Sequence, residues 1–153
     1  MTKEVFLKKY FKIKLKKPII LSLTACPALK KMFYGDCIFK KKNSQAKLLT
    51  VVYGKIFDVC VDLRKKSKTY GKYFSIELSQ KSALSILIPA GFAHGFLCLS
   101  KECAIYYKSS NYRNQNSEIT LAWNDPALKI NWPNKNPILS TKDQNGILFG
   151  DLK

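Results

Sequence analysis

Few residues in this chain could carry proton or nucleophile chemistry. The single histidine, His94, lies in the run FAHGF. One histidine cannot build the cluster of imidazole and carboxylate ligands that holds a metal, so no metal site is expected. The five cysteines are Cys26, Cys37, Cys60, Cys98 and Cys103; the count is odd and no pair has CxxC spacing. That pattern reads as reduced, cytosolic usage and argues against a disulfide framework or zinc site. Lys47 stands near the start of the apolar run AKLLTVVY. A lysine buried in a strand is costly unless it faces a polar cavity. Read alone, Tyr107 is a core tyrosine, Glu118 a solvated strand-end charge, and Lys142-Asp143 an exposed loop pair.

The elements that must position these residues are short. Ala46 to Tyr53 is strand-like, with β-branched residues toward its end, and Gly54-Lys55 punctuates it. Ile56 to Leu63 (IFDVCVDL) follows as a second strand, its apolar run interrupted by Asp58 and Asp62. Arg64 to Thr69 reads as a polar loop. Further strands are expected at Lys72 to Leu78, Ser85 to Ile88, Phe92 to Leu99 and Ala104 to Tyr112. Short strands at roughly ten-residue spacing, separated by Gly, Pro, Ser and Asn, point to an all-β sandwich or barrel. No helix of ten residues is expected.

Composition bounds the rest. The chain has 153 residues, 46% of them hydrophobic, which suits one globular domain. No apolar run is long enough to span a bilayer, and the N-terminus lacks a signal-peptide pattern, so neither membrane nor secretion is expected. The net charge of +17 first suggests a nucleic-acid partner. Its distribution weakens that reading, because residues 1–42 hold 12 lysines against only Glu4 and Asp36. This basic segment shows neither helical nor strand periodicity. The natural division is therefore an atypical segment, 1–42, and a β domain, 43–153.

Four stretches in that second part resemble the dTDP-4-dehydrorhamnose 3,5-epimerase family: QAKLLTVVYGKIFDVCVDLRKKSKTYGKYFSIELS, IPAGFAHGFLCLS, YKSSNY with SEITLAWNDPALKINWP, and ILSTKD. They run in the family's order and spacing from Gln45 to Asp143. The resemblance implies a cupin-like jelly roll, usually a homodimer, that needs no cofactor and acts on a nucleotide sugar in dTDP-rhamnose and cell-surface polysaccharide biosynthesis. A ketone at C4 makes the hydrogens on C3 and C5 acidic. Inversion then needs a base on one face, an acid on the other, and a group that holds the enolate oxygen. By resemblance, Lys47 holds the enolate, Tyr107 donates the proton, and Asp143 orients the catalytic base. His94, Glu118 and Lys142 contact substrate. Arg113 stands where the family usually has a tyrosine that stacks on the thymine base; a guanidinium can stack too, but nucleotide preference is open.

The pattern breaks at the base. In the family it is the histidine of RGLHFQ, eight residues before the glutamine of QAKL; here that position is Cys37, within YGDCIFK. A thiol with a pKa near about 8.5 is a poor replacement for an imidazole near about 6.5. Loss of a positioned base commonly costs about a hundred- to ten-thousandfold in rate. Reverse translation offers an explanation. Phe-Tyr-Gly-Asp-Cys-Ile-Phe-Lys written TTT TAC GGG GAT TGC ATT TTC AAA, and read from the last base of the preceding Met codon, gives Val-Leu-Arg-Gly-Leu-His-Phe-Gln. The frame would be restored in the run Lys40-Lys41-Lys42-Asn43, a natural stretch of adenines. Genuine divergence of the segment is the alternative. Either way the chain is expected to be impaired, and loss of the family's N-terminal strands is expected to expose sheet edges. A non-catalytic sugar-nucleotide binder, or an epimerase acting at one carbon or on another nucleotide sugar, stands as the alternative function.

Overall fold

The computed structural model describes residues 44–112 and 114–152, together with the backbone of 20–22, 28–29, 33–36 and 38–39. Eleven strands follow in chain order among these residues. They are β1 (Ile20–Ser22), β2 (Ala28–Leu29), β3 (Phe33–Asp36), β4 (Ile38–Phe39), β5 (Lys47–Tyr53), β6 (Lys55–Asp62), β7 (Tyr73–Ser79), β8 (Ser85–Ile88), β9 (Phe92–Cys98), β10 (Glu102–Ser109) and β11 (Glu118–Ile119). The one α-helix among them is a single turn, α1 (Thr141–Gln144). The six strands expected from Ala46 to Tyr112 are all present, with ends shifted by at most three residues.

Two antiparallel sheets carry the fold. One runs β1-β10-β5-β8, with β2 also pairing β10; the other runs β3-β9-β6-β7. Their facing sides enclose the main core. Leu49, Val51, Ile86, Ile88, Cys103 and Ile105 come from the first sheet, and Ile56, Leu78, Phe96 and Cys98 from the second. The alternation of burial in β5 from Lys47 to Val52 follows from this, because only one of its faces is covered. By contrast, β6 and β9 are buried along nearly their whole length. Their outer face packs under the C-terminal segment, where Val59, Val61, Ala93 and Leu97 meet Leu128 and Trp132. Trp132 Nε1 donates to the Trp123 carbonyl at 2.7 Å and fixes that segment. A strand covered on both faces reads as a continuous apolar run, which is why Asp58 and Asp62 stand out in β6.

The segment before residue 43 contains strands that its sequence pattern does not announce. β1 pairs β10, and β3 pairs β9 with Asp36 opposite His94. β4 pairs β11, with Phe39 opposite Glu118. The expected bare edges of β9 and β10 are therefore covered by backbone pairing in this structure. Strands of two to four residues are too short to show a period in sequence.

Candidate active site

The site is built by the antiparallel register. In β6, Asp58 and Cys60 are two residues apart and share a face. Cys60 lies opposite His94 of β9, and Asp58 lies opposite Phe96. His94 reaches diagonally to the carboxylate, with 2.8 Å between Nε2 and Asp58 Oδ2. Asp58 is 0% exposed and His94 5%. Water cannot solvate this carboxylate, so its charge is acceptable only with protein donors aimed at it. Cys60 supplies another, its thiol lying 3.7 Å from Asp58 Oδ1. Burial first, and then the neighbouring Asp58 charge and hydrogen bond, push the Cys60 thiol well above its usual range, while Lys47 pulls it down.

The opposing sheet brings two more groups. Lys47 is buried and pairs with Ser109; two residues on, Leu49 pairs with Tyr107. Lys47, Leu49 and Tyr107 thus face the interior side by side. The Tyr107 ring stands edge-on to the His94 ring, 6.4 Å between centroids. A lysine, a histidine–aspartate pair and a phenol therefore share the interior between the sheets. The set can hold a developing oxyanion and pass protons.

The remaining expected residues divide by location. Asp143 sits in α1 and is 4% exposed, which corrects its stand-alone reading as part of a surface loop. Ser140 caps the turn: its hydroxyl donates to Asp143 Oδ2 at 2.7 Å and accepts the Asp143 N–H at 3.3 Å. The turn lies against β3, the strand leading to position 37. Lys142, beside it, is exposed, and Glu118 is half-buried in the β4–β11 ribbon. Cys37 and Arg113 lie outside the described residues. Asp58 is the site residue that the sequence reading did not assign; its signal was an acid in the middle of a buried apolar strand. No group of His, Cys, Asp and Glu among the described residues has the geometry of a metal site.

A jelly roll whose interior holds a lysine, a histidine–aspartate pair and a tyrosine is a cupin-type scaffold fitted for proton transfer. Comparison with known proteins narrows this. The dTDP-4-dehydrorhamnose 3,5-epimerase family profile matches residues 28–151, and the chain belongs to that family. The match begins before Gln45, so it takes in part of the atypical segment. The epimerase of Shigella flexneri is 44% identical over 108 residues, covering 71% of this chain and 60% of that protein. That of Pseudomonas aeruginosa is 41% identical over 114 residues, covering 74% of this chain and 63% of that protein. The chain thus spans less than two thirds of these relatives' length. Among solved structures, the Elizabethkingia anophelis epimerase superposes with a TM-score of 0.81 at 35% identity, over 99% of this chain and 81% of that one. The Legionella pneumophila enzyme, solved with dTDP-4-keto-L-rhamnose, gives a TM-score of 0.84 at 29% identity, over 100% and 79%. No helix among the described residues is long and apolar enough to cross a membrane.

Proposed function

We propose that this chain is an impaired form of a dTDP-4-dehydrorhamnose 3,5-epimerase, built to invert C3 and C5 of dTDP-4-dehydro-6-deoxyglucose. The observation that carries the reading is the interior set of Lys47, His94–Asp58 and Tyr107, retained at the cost of burying charge in a β sandwich. In this scheme a base takes the proton from C3 or C5, and the bonding pair moves onto the C4 oxygen. Lys47 holds that oxygen. Tyr107 delivers a proton to the opposite face of the same carbon, and the ketone re-forms. His94, Glu118, Lys142 and Arg113 bind the substrate, and Asp143 orients the base. The packing of α1 against β3 supports this role for Asp143.

The base is the missing part. His94 is the chain's only imidazole, and it stands against Tyr107, on the side of the proton donor. By resemblance the base belongs at position 37, where the chain has cysteine. The functional form would be a cytoplasmic homodimer without cofactor, metal, membrane or nucleic-acid partner. A binder or one-carbon epimerase is the second reading, favoured by the same missing base. A 3-epimerase of Streptomyces niveus is 38% identical over 109 residues.

Two measurements test this. Incubation with the dTDP-sugar in heavy water reads deuterium at C3 and C5. The proposal expects incorporation about a hundred- to ten-thousandfold below that of the Shigella flexneri enzyme. Full-rate exchange at both carbons refutes the impairment, exchange at one carbon favours the single-site epimerase, and binding with no exchange favours the binder. Sequencing the gene from Met1 to Gln45 in several isolates tests the cause. A one-base change in the adenine run that opens a frame encoding RGLHFQ makes this the broken form of an ordinary epimerase. If no frame yields that motif, the segment has diverged.

A further inference from the structure

The interior set contains one group to which the proposed reaction gives no task. Cys60 is 6% exposed and stands directly across the β6–β9 ladder from His94. The histidine does not bond to this opposite neighbour. It passes diagonally to Asp58 Oδ2, leaving Oδ1 of a fully buried carboxylate to the thiol at 3.7 Å. An ionised carboxylate only accepts, so with Asp58 ionised His94 Nε2 carries the proton. The tautomer then depends on Asp58 keeping this orientation. A carboxylate on a strand is free to turn about its last bond unless both oxygens are engaged. We propose that Cys60 is a positioning residue: its thiol holds the second oxygen of Asp58, and so fixes the carboxylate that sets the tautomer and orientation of His94.

The surroundings support this assignment. The polar groups near His94 include Asp58 and Cys60 on β6 and Tyr107 on β10, with Lys47 of β5 close enough to act on the thiol, and β3 places Asp36 at the register position opposite His94. Burial and the Asp58 charge keep Cys60 protonated, which leaves it a donor and not a competing anion. A hydrocarbon of the same size would fill the space but could not hold Oδ1. That separates positioning from packing.

The use of His94 in a reaction rests on the function proposed above; its positioning by Cys60 does not, and the test needs no substrate. One histidine per chain gives one imidazole signal. The full chain is labelled with nitrogen-15 histidine, and the two ring-nitrogen shifts and the exchange of the Nε2 proton are read by NMR. The parent should show a single tautomer protonated at Nε2. Cys60→Val removes the donor and fills its space with about one methyl group to spare; it should mix the tautomers and speed proton exchange about tenfold, the loss of one modest hydrogen bond. Cys60→Ser restores a donor and should return both readouts toward the parent. Should Cys60→Val fail to fold, Cys60→Ala replaces it. The proposal is overturned if the donor-free variant matches the parent, if Cys60→Ser is as disturbed as Cys60→Val, or if the parent imidazole titrates like an exposed one. Failure of deuterium incorporation alone would count against the proposed function and leave these readouts intact.

Discussion

Asp62→Asn should weaken the fold through a loop that no substrate touches in the scheme above. Asp62 is 1% exposed. It accepts from Arg64 N at 3.0 Å, Arg64 Nε and Nη2 at 2.8 Å each, and the hydroxyls of Ser67 and Thr69 at 2.6 Å. An asparagine keeps one acceptor oxygen and presents an NH₂ where the other was. The two hydroxyls can rotate to accept from it, but the guanidinium cannot, so one arm of the Arg64 fork faces a donor. Losing one charge-assisted bond costs about 1.5–3 kcal/mol, and the unmet buried donor adds about 1–3 kcal/mol. Arg64 is partly exposed and its freed arm can hydrate, so the expected total is about 2–4 kcal/mol. The pH dependence identifies the cause. Burial alone raises the Asp62 pKa, but the hydrogen bonds from Arg64, Ser67 and Thr69 outweigh it and hold the carboxyl well below the usual range. A depressed folded pKa contributes stability above the unfolded value of about 3.9, and that contribution is lost as pH falls below it. Urea unfolding of parent and variant should therefore show a gap that is full at pH 7 and narrows from about pH 5 to pH 2. A gap under about 0.5 kcal/mol, the size of an ordinary surface substitution, or one constant across that range, would refute the reasoning.

Lys47→Met should lower any deuterium incorporation at C3 and C5 about a hundred- to thousandfold, the usual loss for an oxyanion-holding group, and mass spectrometry of the recovered sugar measures it. Gly54→Ala should destabilise the fold by about 1–3 kcal/mol in urea titration. Gly54 has φ +78°, and an added Cβ would stand 2.3 Å from the Glu102 carbonyl oxygen in the turn between β5 and β6. In the native chain at pH 8, Cys60 should resist alkylation until the protein is unfolded. Its thiol is buried and raised well above the ordinary value, and peptide mapping reads it separately from the other four cysteines.

The strands were legible where a single physical cause dominated. Ser85 to Ile88 was bounded correctly because an apolar run ends at Pro89, and β5 to within one residue because β-branched residues run up to Gly54. The polar pairing was not legible. His94 and Asp58 are 36 residues apart, and nothing local says that β6 and β9 are neighbours in the register that joins them. Asp143 looked solvated because a one-turn helix has no periodicity; the fold brings that turn close to β3, far away in sequence. Before residue 43 the pairing partners lie in β9, β10 and β11, so what orders those strands is tertiary and absent from the local pattern.

That contrast bears on how the two parts of the chain came to differ. In the domain from Gln45 onward, every buried ionisable group in the interior has a task or a partner: Asp58 with His94 and Cys60, Asp62 with the Arg64 loop, Asp143 with Ser140. Buried charge is lost readily when nothing selects for it, since hydrophobic replacements of the same volume are often neutral or stabilising. A lineage that abandoned the chemistry long ago would have had little reason to keep Lys47, Asp58 and His94 together inside a sandwich that Leu and Val could fill. Slow divergence should have eroded the interior along with the N-terminal segment. A single recent event confined to the codons before residue 43 would remove the base that the proposed function puts at position 37 and leave the rest of the site as it was. While the family match reaching back to residue 28 weighs on the side of divergence, the interior residues therefore favour the proposed shifted reading frame upstream of an otherwise intact site. That account requires restoration of the frame alone, with no change after Gln45, to recover epimerase turnover.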